Sequence, residues 1–258
     1  MTPLQLKISI ITVNYNHAEG LAETIASVAG QSYAEIEHIV IDGGSTDSST
    51  DVIESNRHHL AYAVSEKDKG VFDAMNKGIK QATGDYLLFV NSGDKLATEH
   101  VINNCVAYGF DKDLIIADMV FVNEGQRRDW KPEHLLTFDL FYFYGIPHPS
   151  TFIKKELFDL VGLYDDELKI VSDWKFFLLA VCKHNCSYKR IDITVSEFIE
   201  GGISTQEDSV PQILAERKKV IEAHFSAFLP NYEELWAARR QLRKLRYTIK
   251  IKKFLGIR

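Results

Sequence analysis

Apolar and polar positions alternate along the first 118 residues in one repeating order: a short apolar run, a polar turn, then apolar residues at helical spacing. Lys7-Ile-Ser-Ile-Ile-Thr-Val13 is a β-rich run that stops at Asn14-Tyr-Asn-His17, and Leu21, Ile25 and Val28 follow at helical spacing over residues 20–30. Ile36-Glu-His-Ile-Val-Ile41 predicts a second strand, ending at Asp42-Gly-Gly-Ser-Thr-Asp47, with a helix after it through Val52 and Ile53. Ala61-Tyr-Ala-Val-Ser65 is a weaker third strand. Residues 71–82 read as a helix capped by Gly84, since glycine takes the left-handed conformation that closes a helix. Tyr86-Leu-Leu-Phe-Val90 is a continuous apolar run between Gly84-Asp85 and Ser92-Gly93, the mark of a strand buried on both faces. A helix starts near Thr98, and Asp113-Leu-Ile-Ile-Ala-Asp118 begins a fifth strand. Strands that alternate with helices predict an α/β fold with a mainly parallel sheet and right-handed crossovers.

The remainder is less regular. Met119 to Trp130 reads as a hairpin, residues 154–161 and 173–184 as helices, and Ser187 to Phe198 as a strand. Glu200-Gly-Gly-Ile-Ser-Thr205 is a loop, and the rest is helical with breaks at Pro211 and Pro230. No internal repeat or low-complexity linker separates the halves, so one shared core is expected.

Composition adds a class and an asymmetry. Hydrophobic content of 45% and charged content of 26% are those of a soluble globular protein. No run approaches the roughly 18 apolar residues of a spanning helix, and Met1-Thr-Pro-Leu-Gln-Leu-Lys7 has no secretory pattern. Three cysteines make no disulfide framework, so a cytoplasmic protein is expected. Cys182-Lys-His184-Asn-Cys186 lacks the second pair that a tetrahedral zinc site needs. Residues 239–258 hold nine Lys/Arg and no Asp/Glu, so the net charge of −6 divides into a basic tail and an acidic body. Such a tail points to an anionic partner, either nucleic acid or a membrane surface.

The turns after the strands carry the candidate chemistry. No G-x-G-x-x-G follows the first strand, where Asn14-Tyr-Asn-His-Ala-Glu-Gly20 stands, and no G-x-x-x-x-G-K-[ST] occurs. These absences argue against a dinucleotide enzyme and a P-loop NTPase. The strand ends offer carboxylates instead: Asp42, Asp68, Asp73 and Asp94. Ligands of open α/β sheets sit beyond the carboxyl ends of the strands. Carboxylates there can hydrogen-bond a base and ribose, or hold a divalent cation that holds phosphates, and Mg²⁺ needs only one or two of them. Asp94 is therefore a candidate ligand for a cation bridging a diphosphate; otherwise it begins the turn before the next helix.

Five motifs, Ser9-Ile-Ile-Thr-Val-Asn-Tyr-Asn16, Val40-Ile-Asp-Gly-Gly-Ser-Thr-Asp47, Asp68-Lys-Gly-Val-Phe-Asp-Ala-Met-Asn-Lys-Gly78, Gly84-Asp-Tyr-Leu-Leu-Phe-Val-Asn-Ser-Gly-Asp94 and Ser172-Asp-Trp174, resemble those of family 2 glycosyltransferases of the bacterial envelope polysaccharide type. The resemblance covers residues 7–205 and implies the GT-A fold, a Rossmann-like, mainly parallel sheet flanked by helices. It implies a glycosyltransferase domain over 1–205, with a nucleotide-binding half 1–95 and an acceptor half 96–205, followed by a helical extension with a basic tail over 206–258. The reaction it implies is inverting, metal-dependent transfer of a hexosyl or N-acetylhexosaminyl group from a nucleotide-diphosphate sugar, a UDP-sugar being favoured. The acceptor would be a hydroxyl of a saccharide, lipid-linked in cell-surface polysaccharide synthesis. By position, Thr12, Asn14 and Tyr15 would line the nucleotide, Asp42 would contact the base or ribose, and Asp68 and Asp73 would close the donor pocket. Asp94 matches the last acid of the family's D-x-D, which holds Mn²⁺ or Mg²⁺. Ser92 stands where the first acid belongs and, with Gly93, falls on the nucleotide-sugar site. Asp173 matches the catalytic base, its acidic neighbour replaced by Ser172; read locally, Asp173 is a first-turn helix acid and Ser172 an N-cap. Asp47 reads as a helix cap. His148, between Pro147 and Pro149, lies where it would reach the metal or the diphosphate, unless it is a plain loop histidine. Gln126-Arg-Arg-Asp-Trp130 has Asp where the Q-x-x-R-W of processive synthases has Arg, which implies one sugar per encounter. A sugar-phosphate nucleotidyltransferase and a noncatalytic nucleotide-sugar-binding protein are the alternatives.

Leu235, Ala238, Leu242, Leu245 and Ile249 form an apolar stripe beside Arg239, Arg240, Arg243, Lys244 and Arg246. Such a helix can lie in a membrane interface, which places the protein peripherally on the inner face of the plasma membrane. The acidic body argues against nucleic acid. The competing reading is a stripe packed on the body or paired in a homodimer.

Overall fold

The structure, a computed structural model, describes residues 6–254; beyond Leu242 only the side chain of Leu245 is described. The chain divides into two compact units, Met1–Val210 and Pro211–Arg258.

The first unit opens as its periodicity predicts: β1 (Ile8–Asn14), α1 (Ala18–Ala29), β2 (Ile36–Asp42), α2 (Ser49–Ser55), β3 (Tyr62–Ser65), α3 (Val71–Gln81) and β4 (Tyr86–Phe89). β1 pairs in parallel with β2 and β4, and β2 with β3. These strands are mostly apolar because helices cover the sheet, and Ile8, Ile10, Ile11, Leu87 and Leu88 have no exposed surface. α3 lies directly on β1, where a Cβ on Gly78 would sit 2.5 Å from Ile11 Cγ2.

The chain continues as β5 (Lys95–Leu96), α4 (Val101–Ala107), β6 (Leu114–Asn123), β7 (Gln126–Trp130), α5 (Phe138–Phe143), β8 (Thr151–Lys154), α6 (Leu157–Val161), α7 (Ser172–Cys182) and β9 (Tyr188–Ile199). The sheet runs β3-β2-β1-β4-β8-β6-β9-β5, with β7 paired to β6. It is parallel through β4 and mixed beyond, since β8 is antiparallel to both β4 and β6 while β6 and β9 are parallel. The result is the expected α/β fold, a sheet flanked by helices.

Several local expectations need correction. The helix predicted over 154–161 is shorter, and Thr151-Phe-Ile-Lys154 before it is a strand because β4 and β6 supply hydrogen bonds on both sides. The predicted fifth strand and the first arm of the hairpin are one ten-residue strand, β6, irregular at Asp118. β5 and α5 had no periodic signal. Gly84 is not a left-handed cap, and a Cβ there would approach Ser9 Oγ to 2.6 Å, so its requirement is close packing.

In the second unit, α8 (Val210–Phe225) and α9 (Leu229–Phe254) are separated by a 3₁₀ turn at Ser226–Phe228. Pro211 and Pro230 start these helices rather than break them, since a first-turn residue needs no intrahelical N–H bond. Leu235, Leu242 and Leu245 are exposed, and the Arg240 guanidinium lies 4.0 Å from the Trp236 ring centre. The side chains of Arg243, Lys244, Arg246 and Ile249 lie outside the described residues.

Candidate active site

The site is built where β1, β2 and β4 end. Asn14 closes β1 and Asp42 closes β2, adjacent in register. Asn14 Nδ2 donates to Asp42 Oδ1 at 2.6 Å and to Ser49 Oγ at 2.9 Å. Asp42 also accepts from the Ser45 hydroxyl and the Ser65 hydroxyl, each at 2.5 Å, and from the Ser45 N–H at 2.9 Å. Burial raises the pKa of Asp42, but the bonds from Ser45, Ser65 and Asn14 outweigh it and hold the carboxyl below its ordinary value. Asp42 has no exposed surface and both its oxygens are taken by protein donors. Thr12, expected to line the nucleotide, is likewise fully buried: its hydroxyl donates to the Val90 carbonyl at 2.8 Å and meets His38 Nε2 at 3.0 Å. Asp47 ties the N-termini of α1 and α2 together, accepting from the N–H groups of Ala18 and Ser49 at 3.0 Å each, rather than capping only the helix that follows it.

What remains open at this corner is Tyr15, two-thirds exposed, and the half-buried Asp68, with the buried Gly43 between them. A Cβ on Gly43 would lie 2.5 Å from Asp68 Oδ2 and 3.3 Å from Tyr15 Cδ2, so the absent side chain leaves a flat floor between an aromatic ring and a carboxylate. Burial raises the pKa of Asp68, while Gly70 N–H, donating at 2.9 Å, and Lys77 oppose it. Asp73 accepts from Lys69 N–H at 3.1 Å, and Lys77, 3.8 Å from Asp73, also pairs with Glu66 at 2.8 Å.

The loop after β4 is anchored by Thr24 of α1, whose hydroxyl donates to the Asp94 carbonyl at 2.7 Å and accepts from Gly93 N–H at 3.0 Å. Gly93 has φ of +100°, and a Cβ there would be 3.0 Å from the ring of His17, which is exposed above it. Ser92 is half-buried, its N–H on the Val13 carbonyl at 3.1 Å. Asp94 is only 5% exposed and accepts one hydrogen bond, from Ile199 N–H at 3.1 Å. Burial pushes its pKa up to about 7, against that single bond. A buried carboxylate with no cationic partner among the described residues fits a divalent cation, which would supply the missing charge. No group of three or more His, Cys, Asp or Glu gathers among the described residues. A cation here would thus take one protein carboxylate and fill its other positions from diphosphate and water.

A second cluster lies beside the end of β4. Asp173 is in the first turn of α7 with its side chain 29% exposed, and His148 Nδ1 is 3.8 Å from its Oδ2. His148 Nε2 meets the Tyr164 hydroxyl at 2.9 Å, and the ring stacks on Phe89 with centres 4.7 Å apart. The two nitrogens of His148, the residue expected to reach the metal or the diphosphate, face Tyr164 and Asp173. Burial lowers the pKa of His148, and Asp173 pulls it the other way. Ser172 is not the N-cap, which is Val171; its hydroxyl accepts from Asp165 N–H at 2.6 Å and holds the preceding loop. Trp174 Nε1 donates to the Phe141 carbonyl at 2.8 Å and fixes α7 to α5.

Sequence reasoning missed Gly43, Thr24, His17 and Tyr164 as parts of these arrangements. Gly43 carried a signal, since Gly-Gly after a strand marks a close approach. Tyr164 carried none, because its meeting with His148 depends on how the turn before β8 and the loop after α6 fold back on each other.

The family described as Glycosyl transferase family 2 matches residues 9–163. An uncharacterized glycosyltransferase of Mycobacterium tuberculosis is 32% identical over 217 residues, 78% of this chain and 78% of that protein. Among solved structures, S. aureus TarS 1–349 in complex with UDP-GlcNAc superposes with a TM-score of 0.64 at 20% identity, covering 85% of this chain and 73% of that one. The chain spans 44% of the longer TarS chain. The mannosyltransferase PcManGT from Pyrobaculum calidifontis, in complex with GDP-Man and Mn²⁺, superposes with a TM-score of 0.57 at 16% identity, covering 77% and 57%. At these identities the structural likeness establishes the fold.

Proposed function

The chain belongs to glycosyl transferase family 2, and from that premise we propose that it transfers a single hexosyl or N-acetylhexosaminyl group, with inversion, from a UDP-sugar to an acceptor hydroxyl. The observation that carries this reading is the Asp173 carboxylate, partly exposed at the start of α7 and faced by His148 beside the end of β4. Asp173 takes the proton of the acceptor hydroxyl as its oxygen attacks the anomeric carbon from the face opposite the departing UDP. A base in this position contributes roughly 10² to 10⁴ in rate. Tyr15, Gly43 and Asp68 receive the base and ribose, and Asp73 closes that side. Asn14, Asp42 and Thr12 hold the strand ends beneath them. Asp94, with Ser92 and Gly93 in its loop, would hold a divalent cation, Mn²⁺ or Mg²⁺, whose contribution when bound is to offset the charge developing on the diphosphate. The UDP-GlcNAc and the GDP-Man with Mn²⁺ of the two structural neighbours support a nucleotide sugar and a cation without choosing the base.

The acceptor follows from the basic tail. No helix among the described residues is long and apolar enough to cross a membrane. We assign residues 1–205 to the transferase domain, with halves 1–95 and 96–205, and 206–258 to an extension that lies on an anionic membrane surface, where a lipid-linked saccharide is within reach. Nine basic residues over 239–258 suit that surface.

The test is nucleotide release from UDP-, GDP- and dTDP-sugars with Mn²⁺ and a saccharide acceptor. UDP release that falls about 10²-fold in Asp173→Asn, with donor affinity kept, is the expected result. A donor that binds without turnover would indicate a noncatalytic binding protein, and pyrophosphate released from a nucleoside triphosphate would indicate a nucleotidyltransferase.

A further inference from the structure

We propose that His148, held in one tautomer by the Tyr164 hydroxyl, is a positioning residue for the Asp173 carboxylate; this rests on the reading of Asp173 as the base. The backbone at His148 is constrained on both sides, by Pro147 and Pro149, and the residue opens a 3₁₀ turn. Its ring is 8% exposed and enclosed by aromatic rings. Phe89 stacks on one face at 4.7 Å and 26°, while Tyr164 and Phe177 meet it edge-on at 5.7 and 5.9 Å. Reorienting the ring would break all three contacts.

Tyr164 is equally fixed. Its N–H donates to Asn76 Oδ1 at 3.0 Å and its carbonyl accepts from Asn76 Nδ2 at 2.8 Å, so α3 clamps the residue through both backbone groups. Burial and the nearby Asp173 hold the phenol well above its ordinary pKa, so it keeps its proton and can act as a donor. A neutral imidazole has one donor nitrogen and one acceptor nitrogen. When the Tyr164 hydroxyl donates to Nε2 at 2.9 Å, the imidazole proton must be on Nδ1, the nitrogen that faces Asp173. Asp173 is the charged group acting on His148; the helix α7 and strand β4 otherwise present Phe177 and Phe89 to it.

At 3.8 Å the Nδ1–H faces the carboxylate without bonding to it. One oxygen of Asp173 is thereby drawn toward a buried, fixed donor. In this arrangement the other oxygen is left for the acceptor hydroxyl, since the Asp173 side chain is 29% exposed. A carboxylate free to rotate would present that oxygen in the right direction only part of the time, so the device acts on turnover rather than on donor binding.

Three variants and one spectroscopic measurement test this. In His148→Phe the ring packing is kept and the donor is lost; turnover is expected to fall about 10-fold or more with donor KM within about twofold. His148→Asn places an amide N–H near the Nδ1 position and is expected to recover most of that loss. Tyr164→Phe removes only the hydroxyl and is expected to lower turnover by a smaller factor. The ¹⁵N shifts of His148 should report the Nδ1–H tautomer in the wild-type protein and a mixture of tautomers in Tyr164→Phe. An Nε2–H tautomer in the wild-type protein, or equal losses in the Asn and Phe variants, would overturn the proposal. Failure of the base reading is a separate result: Asp173→Asn would then keep its transfer activity. If the base reading holds, His148→Phe should cost nothing further in the Asp173→Asn background.

Discussion

Glu37 and Asp94 are two buried carboxylates at opposite ends of the parallel strands, 7% and 5% exposed, and their protonation is driven in opposite directions. Glu37, second residue of β2, accepts from the Ser9 hydroxyl at 2.5 Å, the Thr83 N–H at 2.7 Å, the Thr83 hydroxyl at 2.6 Å and Lys7 Nζ at 3.0 Å. Burial raises its pKa, but these bonds outweigh burial and bring it down to about 2. Asp94, beyond β4, has the single Ile199 N–H, and burial takes it up to about 7. Near-equal exposure thus hides two differences: Glu37 has four donors, one of them the Lys7 ammonium, whereas Asp94 is the more deeply desolvated and has one. The amino end of the sheet is closed by its own side chains, whereas at Asp94 the carboxyl end lacks a partner that a ligand can supply. Asp42 shows that this is not a property of the whole carboxyl end, because Ser45, Ser65 and Asn14 satisfy it as thoroughly as Glu37 is satisfied.

The comparison breaks most sharply at Asp94. Asp94→Asn removes the one carboxylate assigned to the cation, and transfer measured as nucleotide release should fall by about 10² or more. Near wild-type turnover would sink the assignment. The same substitution should leave the metal-free protein at least as stable at pH 8, because it removes a buried charge. The sign follows from linkage: an acid whose folded pKa is raised contributes stability below its ordinary pKa, near 3.8, and loses it as the pH rises through about 7. Unfolding free energy should thus decline from pH 4 to 7 through this group, and Asp94→Asn should flatten that decline.

Glu37 should give the opposite slope. Its folded pKa is depressed, so its contribution is present above its ordinary pKa of 4.5 and is lost as the pH falls toward 2. Glu37→Gln should cost a few kcal/mol at pH 7 in denaturant unfolding and remove that acid-limb slope, while donor KM stays unchanged. A shifted donor KM would mean that the amino end of the sheet communicates with the site.

The smallest effect is expected at Gly43. Gly43→Ala puts a methyl group 2.5 Å from Asp68 Oδ2, so Asp68 must move. Donor KM should rise about 10-fold, with turnover and thermal stability little changed. An unaltered KM would separate Asp68 and Tyr15 from the nucleotide.

The order from β1 to β4 was legible because each element carries its own period: two-sided burial writes a continuous apolar run, and a half-buried helix such as α1 repeats Leu21, Ile25 and Val28 on one face. The same local rules failed at β8, where four residues become a strand only because β4 and β6 flank them. They also failed at Gly84, whose constraint comes from Ser9, 75 residues earlier. Among the site residues, the positions of acids at strand ends were legible and their roles were not. Asp42 and Asp94 both follow apolar strands, and nothing local separates the one whose oxygens are filled from the one left with a single donor. Asp173 was found by its motif, but His148 and Tyr164 reach it through loops that only the folded sheet brings together. By itself the chain determined which segments are strands and helices and which end of the sheet carries acids, since periodicity and turn chemistry act between near neighbours. The tertiary structure decided which carboxylate is left short of partners and which histidine faces the base, because burial and hydrogen-bond donors are supplied by residues distant in sequence.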